Sequence, residues 1–407
     1  MSFKEIPILD LALASDPSTK PAFLADLRHA LMEVGFLYLK NVGISDEFFA
    51  KVIHEGKAFF DIPQEEKLKI EMKNAPSFLG YSQLSAEITA GAVDHREQID
   101  LSTEHPVPGP GSPLHHNLLA PNQWPSASVL PDFRPVFTEY ISRMARVSIY
   151  FTSLIAEAVG LPGDAFDKYF LDGADQQHKL KVVKYPDLSE LGLDAPGAEG
   201  QGVGPHKDSM LTSYLLQASR HRGLQVQNMR GEWIDCPPVD GTLVVAIGQG
   251  LEALTQGACR STTHRVLSPK AGDGARFSIP FFQGVRGDAT FEDLEKVGVG
   301  EVPDDVKAQR RRVLERNGGR LDDVEFTFRS GGMSKTLGEA TLRNRVKSHQ
   351  DVGERWYPDM LKDVLAQLAR EKWEKEEKAG VNLGGGKGQA SDTEKTRQSQ
   401  PAAVEAH

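Results

Sequence analysis

Cysteine is nearly absent: the 407 residues contain two, Cys236 and Cys259. A chain this long without a cysteine framework is not a disulfide-stapled scaffold, and it reads as a cytosolic, reduced protein with two buried thiols. Long apolar runs are missing as well. No window approaches the roughly 20 apolar residues of a membrane span, and the N-terminal "MSFKEIPILDLALASDPSTK" has no apolar signal-peptide core. There is no excess of positive charge, since 47 Lys and Arg face 57 Asp and Glu for a net charge of -10. The basic residues are scattered rather than striped, which disfavours nucleic acid and anionic membranes as partners. What is left is a chain long enough to bury a large core, with the balance of a cytoplasmic enzyme acting on small molecules.

Hydrophobic spacing divides the chain. In residues 1–125 a strand in "IPILDL" precedes a helix carrying Phe23, Leu24, Leu27, Leu31 and Val34, which Gly35 breaks before the strand "GFLYLKNV". A second helix is expected after a Ser45 cap and ends at Pro63, and "STEHPVPGPGSPLHHNLLAPNQWP" is a long Pro- and Gly-rich connection. Residues 126–174 form a helical support. Over 175–290 the period changes to two, in "LKVVKY", "MLTSYLLQ", "GLQVQN", "EWIDC", "TLVVAIG", "THRVLS" and "RFSIPFF", giving a β core of about eight strands. Residues 291–379 hold a charged insert and then helices on both sides of Pro358, and 380–407 reads as a disordered tail.

The stretch "GPHKDSMLTSYLLQ" places His206 and Asp208 two apart. That spacing is cheap, because His95 with Glu97 and His349 with Asp351 share it. If His206 and Asp208 begin a strand, both project from one face and Lys207 from the other. A third ligand is available in His264, at the start of a later strand. Two imidazoles and a carboxylate gathered on one side of a metal are the arrangement of non-haem Fe(II) oxygenases, leaving positions for O2 and a co-substrate. The control pairs lack this context: His95 reads as part of a solvated or salt-bridged stretch, and His349 as a turn residue ahead of a helix. Arg276 and Ser278 share a strand face. An inward Arg needs an anion to offset its desolvation, and a bidentate carboxylate would supply one. Tyr185 could lend a phenol to the same anion, and Phe282 shares the face.

Together, H-x-D, the distal His and R-x-S resemble the isopenicillin N synthase-like branch of the Fe(II)/2-oxoglutarate-dependent dioxygenases. "LRHALMEVGFLYLKNVGI" and "GLQVQNMRGEWIDCPPVDGTLVVAIGQGLEALTQGACRSTTHRV" carry the likeness further, over most of residues 5 to 285. The resemblance implies a mixed α and β fold with a mainly β core, a double-stranded β-helix of jelly-roll type with flanking helices. It implies Fe(II) on His206, Asp208 and His264, and 2-oxoglutarate as co-substrate with its distal carboxylate on Arg276 and Ser278, assisted by Tyr185. The implied reaction couples 2-oxoglutarate decarboxylation to hydroxylation, desaturation or ring closure of a small specialised metabolite, with Phe282 as a substrate contact. Val183 stands where many plant members have Asn. R-x-S equally suits a co-substrate-free iron oxidase holding a substrate carboxylate, and a non-catalytic metal- or ligand-binding barrel is a third reading. A dinucleotide site has a foothold in Gly248, Gly250 and Ala253 with Asp273, but the segment after it is too short and polar for a helix and a parallel strand. Oligomeric state is left open.

Overall fold

Residues 2–89, 91–169, 176–193, 195, 199–290, 301–317 and 334–384 are described by the computed structural model. The chain divides into two units, Met1–Leu361 and Lys362–His407. Helices form where apolar residues recur at helical spacing. Lys20–His29, continued by the wider turn Ala30–Val34, buries Phe23, Leu27, Leu31 and Val34. Gly35 ends it at a φ of 71°, and a Cβ there would meet the Arg260 carbonyl oxygen at 2.2 Å. Only glycine lets the chain turn this tightly into the next strand. Asp46–Asp61 starts on the Ser45 cap, whose hydroxyl accepts from the Phe48 N–H at 3.3 Å. Phe133–Ala158 is the long central helix, and its face of Phe137, Tyr140, Met144, Phe151 and Leu154 is fully buried.

Among the described residues the strands begin with β1 (Ile8–Asp10), β2 (Phe36–Lys40), β3 (Gly80–Ser82), β4 (Glu87–Thr89), β5 (Ala92–Asp94) and β6 (Glu97–Ser102). They continue with β7 (Lys179–Tyr185), β8 (Gln201–His206), β9 (Thr212–Gln217), β10 (Leu224–Gln227), β11 (Trp233–Asp235), β12 (Thr242–Ile247), β13 (His264–Leu267) and β14 (Arg276–Phe282). The larger sheet has the order β1-β2-β12-β9-β14-β7-β6-β3 and the smaller β11-β10-β13-β8, with β4 and β5 as a separate hairpin. Every pairing is antiparallel except β1 with β2. Strands β7 to β14 pass back and forth between the two sheets, with β10 and β11 forming a hairpin within the smaller one, in the manner of a double-stranded β-helix.

Period-two alternation gives each strand of the larger sheet two destinies. Leu180 and Val182, Tyr214 and Leu216, Leu243 and Val245, and Ile279 and Phe281 join Phe137, Phe151 and Leu154 of the central helix in one buried core. The alternate residues face the smaller sheet, where Val183, Val203, Leu224, Val226, Val244 and Val266 form a second core. That inner side also encloses the cavity described below.

Two expectations need correction. The strand Gln201–His206 has no clear alternation, because Gly202, Gly204 and Pro205 interrupt it, and it was missed as the eighth strand of the β core. His206 therefore ends a strand, and Asp208 lies in the loop before β9. Lys207 is accordingly not on the far side of a strand; it lines the same cavity as its neighbours. The insert contains a helix, Asp304–Arg316, and the last helix runs Pro358–Gly384, so the tail expected over 380–407 lies outside the described residues beyond 384. Among the described residues no helix is long and apolar enough to cross a membrane.

Candidate active site

His206, the last residue of β8, pairs across the smaller sheet with His264, the first of β13, and their ring centroids lie 4.2 Å apart. Asp208 Oδ1 sits 3.8 Å from Nε2 of each. One donor atom from each of the three lies within 4.8 Å of the others, and among the described residues no second group of this kind occurs. The orientation of the rings is set from behind. The Gly204 carbonyl accepts from His206 Nδ1 at 2.8 Å and the Thr262 carbonyl from His264 Nδ1 at 3.1 Å. A carbonyl can only accept, so each Nδ1 carries the proton and each Nε2 presents its lone pair. Burial, with the His264 ring beside it, pushes His206 down to about 4, which keeps the imidazole neutral near pH 7.

Asp208 does not lie on a strand; it is positioned by hydrogen bonds to its side chain from β9 and to its loop from the helix that follows β12. Ser213 donates to its Oδ2 at 2.5 Å, leaving Oδ1 toward the imidazoles. The N–H groups of Gly248, Gln249 and Gly250 donate to the carbonyls of Leu211, Asp208 and Met210 at 2.8, 2.8 and 3.1 Å. Thus the start of the helix Gln249–Leu254 grips the loop that carries Asp208. A Cβ on Gly248 would meet the Met210 oxygen at 2.0 Å, so close backbone approach explains this glycine. The dinucleotide alternative falls with it: β12 is antiparallel to both β2 and β9, and no parallel crossover follows among the described residues.

On β14, Arg276, Ser278, Pro280 and Phe282 all face a cavity of about 730 Å³ that the three clustered residues also line. Arg276 is 1% exposed, and neither Nη1 nor Nη2 has a hydrogen-bond partner. Its guanidinium lies 5.0 Å from the Tyr185 ring centroid, because Arg276 and Tyr185 are directly paired between β14 and β7. Burial lowers the Arg276 pKa and Tyr185 offsets this only in part, the signature of a cation held without a full set of partners. Of the residues singled out in the sequence, His206, Asp208, His264, Arg276, Ser278, Tyr185 and Phe282 therefore share one cavity. Their setting fits an anion beside a metal bound by two neutral imidazoles and a carboxylate.

The control histidines stand apart from this cluster. His95 is half-buried against the Ser85 hydroxyl at 3.2 Å. His349 is 2% exposed and 2.9 Å from Glu87 Oε1, in a buried charge network that sequence reading missed. Glu87 also meets Arg96 and, at 3.4 Å, Lys181; Asp100 meets Lys181 at 3.6 Å and Arg345 at 3.3 Å; Asp94 meets Arg96 at 3.1 Å. Burial alone would raise Glu87, but Arg96, Lys181 and His349 together hold it well below the usual carboxylate range. One signal was available: Lys179 and Lys181 alternate with Leu180 and Val182, which puts two lysines on the inward face of β7. The charged "VDHREQID" is thus paired and largely buried.

A jelly roll with two imidazoles and one carboxylate converging on a cavity defines the class of mononuclear non-haem metal oxygenases. The family model for the 2OG-Fe(II) oxygenase superfamily matches residues 178–285, and that for the N-terminal region of non-haem dioxygenases in morphine synthesis matches 6–127. The chain is 65% identical over 373 residues to the 2-oxoglutarate-dependent dioxygenase frbJ of Dothideomycetidae sp. (strain 11243), covering 91% of this chain and 97% of that one. It is 32% identical to homoarginine-6-hydroxylase 2-ODD-C23 of Glycine max, covering 72% and 89%. The crystal structure of a full-length Neurospora crassa protein in complex with alpha-KG and thymine superposes with a TM-score of 0.62 at 23% identity, covering 84% of this chain and 96% of that one. The chain belongs to the Fe(II)- and 2-oxoglutarate-dependent dioxygenases, in their isopenicillin N synthase-like class.

Proposed function

We propose that this dioxygenase acts in the cytoplasm on a small specialised metabolite, which it hydroxylates, desaturates or cyclises. His206, Asp208 and His264 hold Fe(II), Arg276 and Ser278 receive the distal carboxylate of 2-oxoglutarate with Tyr185 beside them, and Phe282 touches the substrate. Bound iron supplies the redox chemistry that uses O2 to decarboxylate 2-oxoglutarate to succinate and carbon dioxide. The chain's own residues do the positioning. The Gly204 and Thr262 carbonyls lock the tautomer of the two imidazoles, and Ser213 fixes the carboxylate. Arg276 sets the direction of the co-substrate, while the apolar lining of Val183, Leu215, Pro280 and Phe282 excludes water from the reacting atoms.

The observation that carries the reading is the buried Arg276 guanidinium, with both terminal nitrogens unpartnered, in the cavity of the His-Asp-His cluster. The reading is tested by loading the protein with Fe(II) without oxygen and adding 2-oxoglutarate. A weak visible charge-transfer band is expected. Bound iron without the band would favour the co-substrate-free oxidase, and a band without succinate formation in air would favour the non-catalytic barrel. The cytoplasmic setting is supported by Cys236 and Cys259, which are buried free thiols whose burial pushes each pKa up to about 12.

A further inference from the structure

Besides Arg276, the cavity wall carries a second cation that has no carboxylate in ion-pair contact among the described residues. Around it, three basic side chains (Arg96, Lys181 and Arg345) share three carboxylates, Glu87, Asp94 and Asp100. The carboxylates are committed elsewhere: Asp100 Oδ1 to Lys181 and Arg345, its Oδ2 to Gln98 at 2.7 Å, and Glu87 to Arg96, Lys181 and His349. Lys179 is the one left over. Its ammonium donates to the Leu118 carbonyl at 2.7 Å and has no carboxylate within 4.0 Å among the described residues.

Strand register places Lys179 on the same rung as the residue that holds Asp208. Phe282 pairs with Ser213 on one side and with Lys179 on the other, so the three form one rung of the larger sheet, and all three line the cavity. Ser213 is the residue that holds Asp208. Two strand spacings separate the backbones of Ser213 and Lys179, about 10 Å. Arg276 lies six positions from Phe282 along β14, at the other end of the row, so the co-substrate anchor and Lys179 do not compete for one anion.

We infer that the substrate carries a carboxylate, and that Lys179, with Arg345 alongside, receives it as the far end of the substrate reaches the centre. This rests on the dioxygenase reading above. Within this cluster, Lys179 is one positive charge in surplus over the carboxylates, which matches a monoanion; a dianion there would leave net negative charge buried among Glu87 and Asp100. Burial, with Arg345 nearby, outweighs the attraction of Asp100 and pushes Lys179 down to about 7, so a bound carboxylate would restore a charge that the empty cavity disfavours.

The test uses full-length protein loaded anaerobically with Fe(II) and saturating 2-oxoglutarate. Hexanoate, decanoate, 4-phenylbutyrate and N-acetylphenylalanine are titrated calorimetrically, each beside its primary amide. At least one acid is expected to bind tenfold or more tightly than its amide. Lys179→Met and Lys179→Gln should both erase the preference, and Lys179→Arg should keep it, with the 2-oxoglutarate band intact in all three. If no acid is distinguished from its amide, or if the preference survives in the Met and Gln variants, the inference is overturned. A missing band in the unmodified protein sinks the dioxygenase reading instead, and the acid and amide pairs on the Fe(II)-loaded protein then judge Lys179 separately.

Discussion

Replacing Arg276 by Met should weaken the co-substrate and strengthen the empty fold at the same time. The guanidinium is 1% exposed, and its two terminal nitrogens find no acceptor in the protein. On the proposed assignment, those nitrogens would give bound 2-oxoglutarate two charge-assisted hydrogen bonds, each worth roughly 1.5–3 kcal/mol, so their loss amounts to about 3 kcal/mol at the lower bound and a hundredfold or more in affinity. Without the ligand the same cation is buried and incompletely satisfied, and Met fills similar volume with no charge to desolvate. Exchanges of buried ionic groups for apolar ones are often stabilising by about 1–4 kcal/mol. The variant's ligand-free melting temperature should therefore stay level or rise while its 2-oxoglutarate affinity collapses. Arg276→Lys should fall between, because a point charge cannot replace the fork. Titrating the visible band gives the affinity, and scanning calorimetry of the ligand-free protein gives the stability. Unchanged affinity, or a parallel fall in affinity and stability, would refute the assignment of Arg276 to the anion.

The remaining predictions concern the metal cluster and the charge network. His206→Ala and Asp208→Ala should each abolish Fe(II)-dependent succinate formation, whereas His349→Ala should keep the iron stoichiometry and lose thermal stability; equal iron loss in all three would defeat the ligand assignment. Gly248→Ala puts a methyl 2.0 Å from the Met210 oxygen and must displace the Asp208 loop, so Fe(II) affinity should drop about 10- to 100-fold, as when a supporting contact of a ligand is lost. An Fe(II) titration matching the unmodified protein would show that the loop does not position Asp208. Glu87→Gln leaves Arg96 and Lys181 short of a buried partner and should cost about 3–5 kcal/mol in denaturant unfolding. Because Glu87 is depressed in the folded state, its contribution is present above the ordinary carboxylate pKa and fades as pH falls through the acid range below it. The acid limb of stability against pH should therefore be shallower in Glu87→Gln, and identical limbs would count against the network.

Much of the architecture was legible because local rules and the fold agree. The Ser45 cap, the Gly35 break and the alternation in β7, β9, β12 and β14 are set by backbone sterics and by burial of one face, which neighbouring residues already encode. The exception was β8, whose Gly-Pro content hides its period, and with it the true setting of H-x-D. Order along the chain was enough to nominate His206, Asp208, His264, Arg276 and Ser278, since these residue types in this sequence match one chemistry.

The residues alone carry the inventory: one plausible facial ligand set, one inward Arg, and a β core to hold them. Tertiary packing sorts the charges into paired and open. His349 and Asp351 show the same spacing as His206 and Asp208, yet His349 packs against Glu87, 262 positions earlier in the chain. Lys181 finds two carboxylates and Lys179 none, although the two are adjacent on one strand face. Whether a buried charge is a structural pair or an open binding group depends on partners brought together from 81 to 262 positions apart in the chain. That proximity comes from the packing of the whole core, and no local pattern carries it.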